Sequence, residues 1–127
     1  MKVAYVDTSC LVAIAFGEPG AAALARRLAA FDELVSANLL EAELLSACAR
    51  EGVAPATGLL EAISWVIPDR PLGSEITSVL EHGYLRGADC WHLATALYLA
   101  GEPVSMAFVT LDERQGEVAR GLGFGEG

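Results

Sequence analysis

Short, unbroken apolar runs alternate along this chain with stretches whose apolar residues recur at helical spacing, and that alternation admits few folds. Val3, Ala4, Tyr5 and Val6 form the first run; no polar residue interrupts it, so it reads as a strand buried on both faces. Asp7-Thr8-Ser9 then supplies helix-starting residues, and Leu11 to Phe16 continues as a short helix. Gly17-Glu18-Pro19-Gly20 breaks the chain before Ala21 to Ala30, where Leu24 and Leu28 lie four apart and Arg26 and Arg27 face outward. Glu33 to Ala37 is a second strand. Asn38 is placed to cap a helix that runs to about Arg50 and stops at Gly52. Pro55 opens a helix through Leu59, Leu60, Ile63 and Val66, and Val66-Ile67-Pro68 reads as a weak edge strand. Ser74 to Tyr84 is helical, and another helix begins at Asp89 and ends at Gly101-Glu102-Pro103. A strand over Ala107 to Leu111, a helix over Glu113 to Arg120 and a short strand over Leu122 to Phe124 complete the chain. Strands alternating with helices predict an α/β fold with a mostly parallel sheet flanked by helices.

The 127 residues fit one domain spanning 1–127, large enough for a proper core. A hydrophobic fraction of 54 % exceeds what that core needs and points to apolar surface covered by a partner. Cys10, Cys48 and Cys90 each sit in an apolar, helix-like segment. Their odd number and the absence of any CxxC argue against disulfides and zinc, and suit a reducing cytoplasm. Lys2, the apolar run from Cys10 to Phe16, Ala21 and Ala23 imitate a secretion signal, but Asp7 interrupts that region. No apolar run approaches the roughly 20 residues of a membrane span. The expected location is the cytoplasm.

Acidic residues carry the functional signal. Of five aspartates, Asp7, Asp89 and Asp112 lie where apolar runs begin or end, while Asp32 and Asp69 sit in ordinary connectors. Asp7 and Asp112 each follow a strand, and open parallel sheets bind ligands beyond the carboxyl ends of their strands. Taken singly, each of the three also reads as a helix N-cap. Caps do not explain Glu43, embedded in Leu-Leu-Glu-Ala-Glu-Leu-Leu. Glu41 and Glu43 are about 200° apart around a helix, so only one can face the rim; Glu43 is the expected one and Glu41 is solvated.

Four carboxylates with no Cys/His cluster make a hard-cation site suited to Mg²⁺ or Mn²⁺. A divalent ion so held keeps waters, takes phosphate oxygens as further ligands and activates water for phosphodiester hydrolysis. Arg86 and Arg114, close in sequence to Asp89 and Asp112, are candidates for phosphate contacts, with plain surface solubility as the alternative. His92 shares a helical face with Asp89; a packed or hydrogen-bonded role outweighs proton transfer. Trp65, Trp91, Tyr84 and Tyr98 read as core or dimer surface rather than as base-stacking platforms, and His82 has no evident partner.

Tyr-Val-Asp-Thr-Ser, Glu-Ala-Glu-Leu-Leu, Gly-Ala-Asp-Cys-Trp-His-Leu-Ala-Thr-Ala-Leu and Val-Thr-Leu-Asp-Glu-Arg resemble, in order and spacing, the PIN-domain family, in particular the VapC-like toxin ribonucleases of toxin–antitoxin pairs. The resemblance implies a PIN-like sheet of about five parallel strands, and makes Asp7, Glu43, Asp89 and Asp112 the metal-binding acids. It gives the hydroxyls of Thr8 or Ser9 and of Thr110 a supporting role. It further implies an RNA substrate, a homodimer and an antitoxin that blocks the site.

Other assemblies of acids on a parallel sheet fail on particular residues. A receiver domain needs a lysine near its last strands, and Lys2 is the only lysine. A dehalogenase-type phosphatase needs an aspartate where Ser9 stands, and a dinucleotide fold needs GxGxxG after the first strand. The net charge of −9, with eight Lys and Arg in all, is unusual for a nucleic-acid enzyme. It favours, as the alternative to a metal-dependent ribonuclease, an inactive PIN-like scaffold that binds a protein or RNA partner.

Overall fold

The computed structural model of the chain describes residues 1–55 and 57–126. Ala56, inside the helix expected from Pro55, and the terminal Gly127 lie outside the described residues. Four strands, β1 (Val3–Val6), β2 (Glu33–Ala37), β3 (Ile63–Val66) and β4 (Ala107–Val109), form one sheet in the order β3-β2-β1-β4. All pairings are parallel, with Tyr5 opposite Val35 and Phe108, and Val6 opposite Val109.

Helices cover both faces. The helices are α1 (Thr8–Ala15), α2 (Ala21–Ala29), α3 (Leu39–Glu51), α4 (Thr57–Glu61), α5 (Gly73–His82), α6 (Gly87–Ala100) and α7 (Glu113–Leu122). Side chains alternate faces along a strand, and β1 shows it. Ala4 and Val6 pack with Leu11, Leu24, Leu28, Leu40 and Leu44 of α1–α3. Tyr5, between them, packs with Val79, Leu93, Ala96 and Val118 of α5–α7. A strand covered on both sides has no use for polar positions, which is why its sequence does not alternate.

Three expectations change in detail. Four strands form rather than five: the segment after α7 contributes only a single parallel bridge from Gly125 to Ala107, with Phe124 buried behind it. The helix expected through Val66 ends at Glu61, and Ile63 to Val66 instead pairs along the edge of β2. Leu59, Leu60, Ile63 and Val66 fit helical spacing, but Ile-Ser-Trp-Val, with β-branched and aromatic residues and the parallel edge of β2 beside it, gains a hydrogen-bonded ladder. Asn38 precedes α3 without a side-chain cap bond, its backbone already in the right-handed helical region. The stop at Gly52 is as expected, with φ of 66° that suits glycine.

Strand order reverses between β1 and β4, so the crevice of this sheet opens at their carboxyl ends. Asp7 follows β1 and Thr110 follows β4, and the Asp7 amide donates to the Val109 carbonyl at 2.9 Å. Cys10, Cys48 and Cys90 are buried and unpaired. Among the described residues no helix is long and apolar enough to cross a membrane.

Candidate active site

Asp7 is only 4 % exposed, deep for a carboxylate. Its extended backbone makes it the N-cap of α1, with Oδ2 accepting from the Ser9 amide at 3.0 Å. Capping and a site role therefore coexist, because further donors reach the same group. Gln115 Nε2 donates to Oδ1 at 3.2 Å, and the Thr110 hydroxyl lies 3.3 Å from Oδ2. Asp112 likewise caps α7, accepting from the Gln115 amide at 2.8 Å, while its side chain stays exposed. Asp89 is no cap: α6 starts at Gly87 after Arg86, and Asp89 sits in the first turn. Carboxylates there are favoured by the helix dipole.

Glu43, on α3, is half-buried, and Glu41 is exposed, as their angular separation requires. Thr8 Oγ1 donates to Glu43 Oε1 at 2.7 Å, and His92 Nε2 approaches the same oxygen at 2.8 Å. His92, 1 % exposed, meets the Tyr5 hydroxyl through Nδ1 at 2.7 Å, and the Ala37 amide donates to that hydroxyl at 3.0 Å. These partners assign the proton. With the phenol accepting from Ala37, its own hydrogen points at Nδ1, and Nε2–H is left to donate to Glu43. Burial pushes the Tyr5 phenol up, so it remains a donor. The bond from His92 holds the Glu43 carboxyl below its ordinary value; burial opposes this, and the Thr8 hydroxyl adds to it.

Asp89 is shifted the other way. Burial raises its carboxyl, and the charges of Asp7, Asp112 and, more weakly, Glu43 raise it further against a pull from His92. The four acids thus share one electrostatic neighbourhood. No Lys or Arg forms an ion pair with any of them among the described residues; the one such contact is His92 with Glu43.

Beyond the acids, a groove of about 390 Å³ is lined by Tyr84, Leu85, Arg86, Asp89, Asp112 and Arg114. Arg86 and Arg114, suggested by sequence proximity alone, do stand on the same walls as Asp89 and Asp112. Arg114 Nε donates to the Tyr84 carbonyl at 3.1 Å. Tyr84 is exposed, whereas Trp65, Trp91 and Tyr98 are half-buried. His82 finds the Ser78 carbonyl, one turn back on α5.

Two side chains escaped the sequence reading. Gln115 is fully buried and links three elements: its amide donates to Asp7 Oδ1 and to the Asp89 carbonyl, and its Oε1 accepts from Thr110 at 2.7 Å. Asp112-Glu-Arg-Gln115 matches a capping box, which disguised Gln115 as a helix-start residue. Its placement three and four residues before the buried Val118 and Ala119 was the available signal. Tyr5 was read as core; a phenol in the middle of a buried strand must find a polar partner, and here it finds His92.

Donor chemistry suits a hard divalent cation: carboxylate oxygens come from two helices and two strand ends, and no Lys or Arg is ion-paired with them among the described residues. They are not, however, a finished cage. Among the described residues no three or more His, Cys, Asp or Glu side chains are gathered so that they could hold a metal ion. Asp7, Glu43 and Asp112 are each engaged by protein donors instead.

No curated protein and no solved structure matches the chain. The family model of the PIN domain, however, matches residues 4–121. That span begins in β1, ends in α7 and takes in all four acids. PIN domains are generally nucleases, so the class of chemistry is nuclease-type hydrolysis. With a parallel α/β sheet, acids at its carboxyl rim and a family match over nearly its whole length, this chain belongs to the PIN domain family.

Proposed function

We propose that the protein is a metal-dependent endoribonuclease that uses Mg²⁺ or Mn²⁺, and that it serves as the VapC-like toxin of a toxin–antitoxin pair. The observation that carries the reading is the PIN family match over residues 4–121 together with Asp7 and Asp112 at the ends of β1 and β4 and Asp89 lining one groove with Asp112; burial and the neighbouring acids raise the Asp89 carboxyl. Like charges held close together are a cost that a bound cation would reduce. Asp7, Glu43, Asp89 and Asp112 would hold it.

A divalent ion bound there supplies charge neutralisation at the phosphate and a more acidic water. The protein's own part is positioning. Thr110 and Gln115 fix Asp7; Thr8 and His92 fix Glu43. Arg86 and Arg114 face the groove where an RNA phosphate would enter, and their guanidinium groups match its oxygens. Hydrolysis adds water across one phosphodiester bond: the water oxygen joins phosphorus, the bond to the leaving ribose oxygen breaks, and that oxygen takes up a proton.

Exposed apolar side chains such as Leu80, Leu99 and Val104 suit a homodimer and an antitoxin as partners, in the cytoplasm. The test is incubation of the pure protein with total tRNA in Mg²⁺ or Mn²⁺ and in EDTA, alongside Asp7→Asn and Asp89→Asn. Cleavage is expected only with metal and only in the wild type. Absence of cleavage from folded protein, together with no Mn²⁺ uptake in calorimetry, would instead identify a binding scaffold, the reading that the charge of −9 favours.

A further inference from the structure

Tyr5 lies fully buried in the middle of β1, and its hydroxyl bonds to none of the four acids. Packing fixes the ring. It stacks on Phe108 of β4, with centroids 5.2 Å apart and planes 6° from parallel, and lies edge-on to His92. A ring so held keeps its place without its hydroxyl, which leaves the hydroxyl a task of its own.

Among the described residues the Tyr5 oxygen has two hydrogen-bond partners, the Ala37 amide and His92 Nδ1. An amide N–H can only donate, so the phenol's own hydrogen has Nδ1 as its acceptor. That hydrogen occupies the place that a proton on Nδ1 would need. The bond at one imidazole nitrogen sets what the other can do, and the proton of the neutral ring is left on Nε2. There it meets Glu43 Oε1 at 2.8 Å, the same oxygen that the Thr8 hydroxyl reaches at 2.7 Å. Both donors converge on Oε1, and Oε2 has no donor among the described residues. The chain thus begins at a backbone amide of β2, which moves only with the sheet, and ends at a carboxylate with one oxygen tied and one open.

We propose that Tyr5 is a positioning residue for Glu43: acting through His92, its hydroxyl holds the carboxylate by Oε1 and leaves Oε2 free to meet a cation. The proposal rests on the metal-site reading for its use, but a measurement without metal separates the two. The full chain is compared with Tyr5→Phe and with Thr95→Val. Thr95→Val removes another buried hydroxyl from α6, one that donates to the Trp91 carbonyl, and so reports what losing a buried hydrogen bond does by itself. Long-range ¹H–¹⁵N spectra of metal-free protein read the protonation of the two His92 nitrogens, and calorimetry reads Mn²⁺ binding.

The parent and Thr95→Val should show one state of His92, with Nε2 protonated and Nδ1 bare, and should bind Mn²⁺ alike. In Tyr5→Phe the imidazole is held from one side only. Its single state should give way to mixed, exchange-broadened signals, and Mn²⁺ should bind about tenfold more weakly, the low end of what loss of an outer partner costs a metal site. A parent with the proton on Nδ1 would overturn the proposal, since no ring donor would then face Glu43; that spectrum decides even where Tyr5→Phe fails to fold. So would a Tyr5→Phe that keeps the single state or the parent's affinity, or a Thr95→Val that loses as much affinity. Absence of Mn²⁺ binding by the parent would sink the metal-site reading, and the spectra would then decide alone: loss of the single state in Tyr5→Phe upholds the positioning of Glu43, and its retention ends it.

Discussion

Glu43 and Asp89 carry the same functional group to the same rim, yet the protein treats them in opposite ways. Glu43 receives Thr8 and His92, and behind His92 stand Tyr5 and the Ala37 amide, a chain of donors that runs into the sheet. Its carboxyl is held down. Asp89 lines the groove with Asp112, and burial together with the charges of Asp7 and Asp112 pushes its carboxyl up. One half of the rim is satisfied by the protein's own hydrogen bonds; in the other half the neighbouring acids raise Asp89, and the proposed cation would relieve that. Preorganised and unsatisfied groups side by side are what a site that recruits a cation needs.

The comparison breaks most visibly if the finished half is dismantled. His92→Phe keeps a ring of similar size but leaves the Tyr5 hydroxyl and Glu43 short of a partner in a buried place. Each such loss costs about 1–3 kcal/mol, so Tm should fall by on the order of 10 °C in thermal unfolding followed by circular dichroism. A fall of only a degree or two would mean that the hydrogen-bonded chain from Ala37 to Glu43 carries no stability. Gln115→Leu comes next. It preserves packing in α7 but removes donors from Asp7 and from the Asp89 carbonyl, at a cost of about 1–3 kcal/mol. It should also weaken Mn²⁺ binding by about 10–100-fold in calorimetry, the range typical when a ligand loses its outer support. Retained Mn²⁺ affinity would show that Asp7 holds its place without Gln115.

Opposite shifts make opposite predictions for removing charge. Asp89 has a folded-state value above its ordinary one, so the stability linked to its protonated form is present below pH 3.8 and is lost as the pH rises through the raised value. Without metal, Asp89→Asn should therefore stabilise at neutral pH and match the wild type in acid. Glu43 has a lowered value, so its contribution is present above pH 4.5 and is lost as the pH falls through the folded value. Glu43→Gln should destabilise at neutral pH, with the difference closing in acid. Both groups are partly exposed, and each effect should stay below about 1 kcal/mol after solvent screening. Urea titrations at neutral and acid pH read the signs; two variants moving in the same direction would end the comparison.

The fold was largely legible because both of its signals are local. The uninterrupted run Val3–Val6, followed at once by helix-starting residues, reads as a strand buried on both sides, and Gly52 after an apolar helical stretch reads as its stop. Ile63–Val66 was not legible, because four residues fit a helical period and a strand equally well, and the exposed edge of β2 decided between them. The acids were found because charge next to apolar runs is conspicuous. What holds them was not found. Gln115 and Tyr5 act over separations in the chain of 108 and 87 residues, to Asp7 and to His92, and nothing in their own neighbourhoods announces it.

The smallest expected change in stability belongs to the open half. Arg86 and Arg114 are exposed, and replacing both by alanine should leave Tm nearly unmoved, since surface substitutions fall within about 0.5 kcal/mol. Binding should respond instead. Each phosphate contact on a single strand adds about 0.7 to the slope of log affinity against log salt, so losing two should flatten the slope by about 1.4. At physiological salt the screening length is about 8 Å, so acids elsewhere on the surface scarcely reach a phosphate in the groove. The local balance decides. An unchanged slope in the double variant would return both arginines to the solvated surface and leave any bound cation as the only local counter to the groove's acids. A flattened slope would show that two guanidinium groups suffice to admit RNA to a chain whose net charge is −9.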